Sequence, residues 1–303
     1  MANTVRELFI DYMEYSGKSQ NVVARAAGIS PTTLSLWLNG KYEDKSKSLL
    51  KRLEAFLTRE YSRQTYSVDE HFVDTEISKE IMDVLNYCHT HNDMGVVYGT
   101  PGLGKTVTAV EYATKHPDTI MITAFKGFSR GVIISSIAQD LELMTRMSIY
   151  QQFQMSVKAL QGSDRLLIID EAQFLTNDSL EIVRSIHDQA GVGVVYLGQP
   201  SLSRKMMGKE AEFFAQLYSR LGVKLTLADP EFEDIKLVAK SYGITNTDIH
   251  KFLWDHVIND KWGGSFRKMS KLLKLAIRTS SARKEDITIP FLKDVGRFMI
   301  YND

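Results

Sequence analysis

The apolar positions fall into three successive regimes along the chain. Over residues 4 to 57 their spacing is helical. Val5, Leu8, Phe9 and Met13 share one face, and Val22, Val23 and Ala24 follow Ser19, which stands where a helix N-cap is expected. Gly28-Ile29-Ser30 reads as a turn, Pro31 as a first helical residue, and Leu34, Trp37 and Leu38 as one face of the next helix. Two short helices around a glycine turn predict a helix-turn-helix, with Ile29, Leu34, Trp37 and Leu38 as its miniature core. The small Ala24 lets the helices approach, and Gly28 suits a left-handed backbone position. This domain is placed at residues 1–60. Residues 61–75 are polar and without clear period, a linker.

The second regime begins with a leading helix carrying Ile77, Ile81, Val84 and Leu85. Short apolar runs then alternate with helical stretches. Strands are predicted at 94–98, Thr119 to Ala124, Leu166 to Asp170, Gly193 to Gly198 and Val223 to Leu227. The run Leu166-Leu167-Ile168-Ile169 is apolar enough for a central parallel strand buried on both faces. Such alternation predicts an α/β fold, a doubly wound parallel sheet, over residues 76–229. From Pro230 the pattern turns wholly helical, giving a small bundle over 230–303.

Chemistry enters at residues 99 to 107. Gly99-Thr100-Pro101-Gly102-Leu103-Gly104-Lys105-Thr106 is a complete G-x-x-x-x-G-K-T loop between an apolar run and the helix expected from Val107 to Lys115. A triphosphate needs converging backbone N–H donors, glycines that allow close approach, an ammonium for its outer oxygens and a hydroxyl for Mg²⁺. Gly102 and Gly104, Lys105 and Thr106 answer those needs in turn, so the chain is expected to bind ATP with Mg²⁺. Asp170, at the carboxyl end of its strand, is expected to help hold Mg²⁺ with Thr106, partly through water. Glu171 is placed to orient or deprotonate the attacking water. A blander reading has both acids capping the helix that begins near Asn177.

Composition narrows the class. The chain has 303 residues, and a single cysteine, Cys88, excludes an internal disulfide framework. No stretch approaches the roughly 20 apolar residues of a membrane span or the pattern of a signal peptide. No membrane partner is expected, and the location reads as cytoplasmic. The 37 basic and 37 acidic residues balance, so any argument for nucleic acid rests on local clusters. Between Lys261 and Lys284 there are eight basic residues and no acid. Arg267, Lys271, Lys274 and Arg278 follow helical spacing opposite Met269, Leu272, Leu273 and Ala276, a stripe that suits either phosphates or plain solvation. Lys126, Arg130 and Arg146, after the second strand, offer another DNA-facing surface. The histidines lack metal-ligand spacing, including His89 and His91 beside Cys88, so no metal beyond Mg²⁺ is implied. Met144, Met147, Met155 and the aromatic residues read as packing.

The helix-turn-helix resembles the phage-repressor type, down to Asn39-Gly40 at its end. That resemblance places Thr32, Thr33 and Ser35 toward the major groove and Lys41, Lys45 and Lys47 near phosphates. These reading positions hold no arginine and no amide for bidentate base contacts, so weak, sequence-tolerant DNA binding or a protein-contact role is expected.

The motif order resembles an AAA+ ATPase with a helical lid, and together with the helix-turn-helix it resembles the Mu B family of phage target-DNA activators. His71-Phe72-Val73-Asp74-Thr75, the phosphate loop, Leu166 to Ala172, Phe214-Ala215-Gln216-Leu217-Tyr218-Ser219-Arg220-Leu221 and Gly264-Ser265-Phe266-Arg267 carry the match, which spans nearly the whole chain. The resemblance implies that Gln199 senses the γ-phosphate and that Arg220 reaches a neighbouring subunit's nucleotide, with Arg204 a competitor. It implies that Arg267 contacts phosphate within its own subunit. The function implied is slow, DNA-modulated hydrolysis of ATP to ADP and phosphate by a helical homo-oligomer. That oligomer assembles on double-stranded DNA with little sequence preference, recruits a transposase and dissolves on hydrolysis. The alternative is a sequence-specific transcriptional regulator whose ATPase module senses nucleotide.

Overall fold

The computed structural model describes residues 2–42, 48–65, 72–144, 146–207, 219–258, 265–297 and 299, which fall into two compact units, Met1–Asp69 and Glu70–Asp303.

The first unit is all helical: α1 (Ala2–Ser16), α2 (Gln20–Ala26), α3 (Pro31–Leu38) and α4 (Ser48–Thr65). Phe9, Val23, Ala24, Leu34, Trp37, Leu53 and Phe56 form its core, with the Phe9 and Trp37 rings edge to face at 6.2 Å. Leu34 and Trp37 occupy this core as expected, whereas Ile29 and Leu38 lie at its margin. Gly28 has φ +70°, the left-handed turn position. Ser30 caps α3 by accepting the Thr33 N–H at 3.0 Å. Ser19 occupies the N-cap position of α2 without a side-chain cap bond. From α4, Arg52 donates to the Gly28 carbonyl at 3.1 Å and Arg59 to that of Ala26 at 3.2 Å, bracing the end of α2. Helix α4 continues through residues 61–65, where a linker was expected.

The second unit opens with α5 (Glu76–His91), capped by the Thr75 hydroxyl on Ser78 N–H. Then follow β1 (Met94–Tyr98), α6 (Lys105–Lys115), β2 (Thr119–Thr123), α7 (Arg130–Asp140), α8 (Ile149–Leu160) and β3 (Leu166–Asp170). A single 3₁₀ turn at Ala172–Phe174 leads to α9 (Asn177–Ala190), β4 (Gly193–Gly198), α10 (Pro200–Met207) and β5 (Leu221–Thr226). All strand pairs are parallel, in the order β2-β3-β4-β1-β5. The predicted α/β sheet is therefore present, with β2 ending at Thr123 and β5 beginning at Leu221, slightly off the expected bounds.

Central β1, β3 and β4 are buried throughout, while the outer β2 and β5 alternate, as position in a covered parallel sheet dictates. One face packs on α7, α8 and α9 through Ile133, Ile137, Val157, Leu160, Leu180 and Val183. The other packs on α5 and α6 through Ile81, Leu85, Ala109 and Tyr112. Gly193 is required by closeness: a Cβ there would lie 2.3 Å from the Cys88 carbonyl oxygen at the end of α5.

The carboxyl-terminal bundle comprises α11 (Phe232–Ser241), α12 (Thr247–Leu253) running into a π turn (Trp254–Ile258), α13 (Phe266–Arg283) and α14 (Ile289–Gly296). Its core includes Ile235, Leu253, Met269, Leu273, Ala276 and Leu292. Asp234 joins it to the sheet unit. This buried carboxylate accepts from Glu76 N–H at 2.8 Å and from Glu231 N–H at 3.1 Å, covering the first turns of α5 and α11 together.

Candidate functional site

Parallel strands bring their carboxyl ends to one edge, and the motif residues gather there. Gly99 N–H donates to the Gly198 carbonyl, Leu227 N–H to that of Tyr98, and Ala124 N–H to that of Asp170, which aligns the ends of all five strands. Gly102 and Gly104 have φ of +88° and +93°, so both need the freedom of glycine. Gly104 is also the N-cap of α6, which directs the first N–H groups of that helix into the loop.

Lys105 is nearly buried. Its ammonium donates to the Gly99 carbonyl at 2.8 Å and the Thr100 carbonyl at 2.9 Å, so it is folded into its own loop. Burial lowers its pKa below the ordinary lysine value, against the opposing influence of Glu171 and Asp170, while nearby Arg267 lowers it further. Asp170 is 2% exposed. It accepts the Thr106 hydroxyl at 2.7 Å and the Glu171 N–H at 2.9 Å. Burial raises its pKa, and those two hydrogen bonds oppose the rise. Around the loop, Pro101 and Thr100 are exposed, Leu103 is packed in the core, and Val107 is 59% exposed on the first turn of α6.

Glu171 departs from the strand with φ +53°, a left-handed position for a non-glycine residue. Its carboxylate accepts a hydrogen bond from Gln173 Nε2, and Gln173 Oε1 accepts the Gln199 N–H at 3.1 Å. One amide thus ties the acid after β3 to the turn after β4. A Cβ on Gly198 would stand 2.8 Å from Gln173 Oε1, so glycine there makes room for the clasp. The chain pattern gave no hint of Gln173. Its only local signal is an amide two positions beyond the paired acids. Neither acid caps α9, whose N-cap is Thr176, accepting from Ser179 N–H at 3.2 Å.

The helical bundle reaches this edge through Ser265 and Arg267. A Cβ on Gly102 would lie 2.7 Å from the Ser265 side chain and 3.1 Å from Arg267 Cβ. Farther along α13, Lys271 and Arg278 are exposed and Lys274 is half-buried, opposite buried Met269, Leu272, Leu273 and Ala276.

Arg220 lies at the other edge. Strand register sets Leu221 beside Met94 at the start of β1 and Thr226 beside Tyr98 at its end. At about 3.3 Å per residue, roughly 15 Å of strand separate Arg220 from its own phosphate loop. There its Nε donates to Asp188 Oδ1 at 3.0 Å, with half of the side chain exposed. Arg204 falls in α10. Phe214 to Tyr218 of the matching segment, with His71 and Gly264, lie outside the described residues.

Lys126, Arg130 and Arg146 are exposed. The loop after β2 carries Lys126 and Arg130, and Gly131 at the start of α7 approaches Ile149 at the start of α8. Phe125 and Tyr150 are 57% and 71% exposed on the same segments, and Met144 is 69% exposed. Met144 is therefore surface, correcting its reading as packing. In α3, Thr32 is exposed, Ser35 is half-buried, and the Thr33 hydroxyl is engaged with Ser30 Oγ at 2.7 Å, so one of the three reading positions serves the helix cap. Lys41 is exposed. Lys45 and Lys47 lie outside the described residues.

Three family models match the chain: Helix-turn-helix over residues 12–62, AAA domain over 88–206, and Mu B transposition protein, C terminal, over 219–296. The chain is 27% identical over 234 residues to the Mu-like prophage FluMu DNA transposition protein B of Haemophilus influenzae, covering 75% of this chain and 80% of that one. It is 25% identical over 291 residues to the ATP-dependent target DNA activator B of Escherichia phage Mu, covering 91% and 88%. Among solved structures the Aeropyrum pernix ORC2 protein shares the fold, with a TM-score of 0.57 and 18% identity over 77% of this chain and 70% of that one. With its amino-terminal helices, its phosphate-loop domain and its carboxyl-terminal bundle matched in that order, the chain is a Mu B transposition protein-like AAA ATPase with an N-terminal helix-turn-helix.

Proposed function

We propose that this chain is an ATP-dependent activator of target DNA in transposition. It assembles with ATP as a helical homo-oligomer on double-stranded DNA with little sequence preference, recruits a transposase, and dissolves on hydrolysis. The reading of relatives as DNA transposition protein and target DNA activator supports the biological role. The observation that carries the mechanism is the separation of Arg220 from its own phosphate loop by the length of the sheet. An arginine placed there completes a nucleotide site only in another copy of the chain. Arg267, against Gly102, serves its own subunit.

The phosphates rest on the backbone of Gly99 to Thr106 and on Lys105, which leaves the Gly99 and Thr100 carbonyls to meet them. Thr106 and Asp170, already paired, offer the oxygen donors that a hard cation takes, and the buried carboxylate is one that a cation would stabilise. Mg²⁺ bound there supplies charge neutralisation for the outer phosphates. Glu171 accepts the proton of the attacking water, with Gln173 orienting its carboxylate and Gln199 close to the γ-phosphate. Loss of the γ-phosphate removes the bridge between subunits and shifts the population toward free chains.

DNA contact is assigned to Lys126, Arg130 and Arg146, with Phe125 and Tyr150 beside them, and to Lys271, Lys274 and Arg278 of α13. The helix-turn-helix contributes sequence-tolerant contacts through Thr32 and Ser35. The domain reading of 1–60, 76–229 and 230–303 around a short linker fits this division of labour. Among the described residues no helix is long and apolar enough to cross a membrane, and the proposed site of action is the cytoplasm.

Electron microscopy of the full chain on random-sequence duplex DNA tests the proposal. Filaments with ATP and none with ADP are expected. Isolated particles at rare sites in both nucleotides would instead favour a sequence-specific regulator.

A further inference from the structure

Away from the phosphate loop, three side chains from two separate stretches of the sequence converge. His89 lies in the last turn of α5, His116 follows α6, and Asp118 sits in the turn entering β2. One ligand atom from each lies within 4.8 Å of the others. The sequence had set His89 beside His91 and Cys88, and the fold separates that trio. Cys88 is buried under β1, where burial pushes its thiol up to about 12, and His91 stacks on Tyr87 with Nδ1 at the Tyr87 carbonyl.

We propose that His89, His116 and Asp118 form a binding site for a borderline divalent cation, zinc in particular, that ties α5 to the α6–β2 turn. Two imidazoles and a carboxylate, with water at a fourth position, are a donor set that zinc takes and that magnesium and calcium do not favour. The surroundings fit a ligand rather than a chance pair. His89 Nδ1 stands 2.9 Å from the Tyr112 hydroxyl while Nε2 faces Asp118 Oδ2 at 3.3 Å. A metal-binding imidazole has this arrangement, with one nitrogen fixed by a neighbour and the other aimed into the site. The Tyr112 ring also stacks on His116, with centroids 4.2 Å apart and planes at 21°, so a single side chain orients both imidazoles. His116 and Asp118 are joined by a tight turn in which Thr119 N–H donates to the His116 carbonyl at 2.9 Å. Asp118 is half exposed, which leaves a path for the cation and freedom to close bonds of about 2.0–2.2 Å.

A cation held at Nε2 requires the neutral ring to carry its proton on Nδ1, where it donates to the Tyr112 oxygen.

The test is calorimetric titration of the full, tag-free chain with Zn²⁺ in excess Mg²⁺ and without nucleotide. The same chain is then loaded with Co²⁺ and read by visible absorption. One zinc site and a tetrahedral cobalt spectrum are expected. Asp118→Asn, at an exposed turn where folding is retained, and His116→Ala should each weaken zinc by about 100-fold or more. Tyr112→Phe, which keeps the ring, should weaken it by about tenfold, as loss of an outer partner does. Glu111→Gln, at a neighbouring half-buried acid paired with Lys115, should leave the affinity unchanged. A wild-type chain that binds no zinc, or Asp118→Asn and His116→Ala variants that bind it as tightly as wild type, would overturn the site. Because nucleotide and DNA are absent throughout, either result is independent of the proposed activity.

Discussion

The two ends of the one parallel sheet treat charge in opposite ways. At the carboxyl edge Lys105 and Asp170 are withdrawn from water, and burial disfavours the charged form of each. At the amino edge Arg220 and Asp188 form a half-exposed pair, with Arg184 also on Asp188. Exposed pairs are worth little to stability, whereas buried charges are disfavoured unless a ligand or partner meets them. The first edge is thus poised to gain from a bound nucleotide. The second presents an arginine that, on the proposed function, exchanges its present partner for another molecule's phosphate.

Breaking the second edge should have the larger effect. Arg220→Ala is expected to lower DNA-stimulated ATP turnover by about 10³-fold while the affinity for ATP, measured by equilibrium binding, stays unchanged. The comparison sharpens when this variant is mixed with Lys105→Ala, itself inactive. The mixture should regain turnover, because Lys105→Ala subunits still carry Arg220 for a neighbour's intact loop. No recovery would return Arg220 to its own subunit and undo the assignment across the sheet. At the first edge, Glu171→Gln should lower single-turnover hydrolysis by about 10²-fold and leave ATP-dependent filaments standing. Filaments that dissolve at the wild-type rate would separate disassembly from hydrolysis.

Gln173 stands between the legible and the hidden parts of this edge. The glycine spacing, Lys105, Thr106 and the paired acids are local patterns whose chemistry needs neighbours in sequence, and they could be read directly. The amphipathic face of α13 and the turn at Gly28 were legible for the same reason. Gln173 joins Glu171 to Gln199 only because β3 and β4 are neighbours in the sheet, which the order of strands along the chain does not say. Asp188 meets Arg220, and His89 meets His116, through the same kind of closure. The exposure of Phe125, Met144 and Tyr150 was hidden differently. Apolar type suggests burial, and only the packed α7–α8 pair shows which side faces out. If Gln173 positions the acid, Gln173→Ala should lower kcat about tenfold with KM for ATP unchanged, and Gln173→Glu should not restore it, since a carboxylate cannot donate to Glu171. An unchanged kcat would reduce the clasp to a structural brace.

The smallest expected effect, a change in stability and not in turnover, tests why the first edge is costly to fold. Asp170→Asn should abolish hydrolysis yet stabilise the nucleotide-free chain by about 1 kcal/mol near neutral pH, the usual exchange at a site built for function. The amide can keep both hydrogen bonds, its oxygen accepting from Glu171 N–H and its nitrogen donating to a rotated Thr106 hydroxyl. The pH dependence fixes the cause. Burial raises the folded-state pKa of Asp170 above the ordinary value of 3.8, so between the two values the folded chain holds a proton that the unfolded chain has released. Wild-type stability therefore falls as pH rises through that window, and the penalty is complete above it. The advantage of Asp170→Asn, measured by urea unfolding, should be full near neutrality and vanish below the ordinary aspartate value. Lys105 works in the other direction. Its lowered pKa imposes a penalty that is complete at low pH and lifts as pH rises through the folded value, so Lys105→Met should stabilise in acid as well as at neutrality. An Asp170→Asn advantage that persists unchanged into acid would point to packing, and the contrast between a strained carboxyl edge and a relaxed amino edge would lose its electrostatic basis.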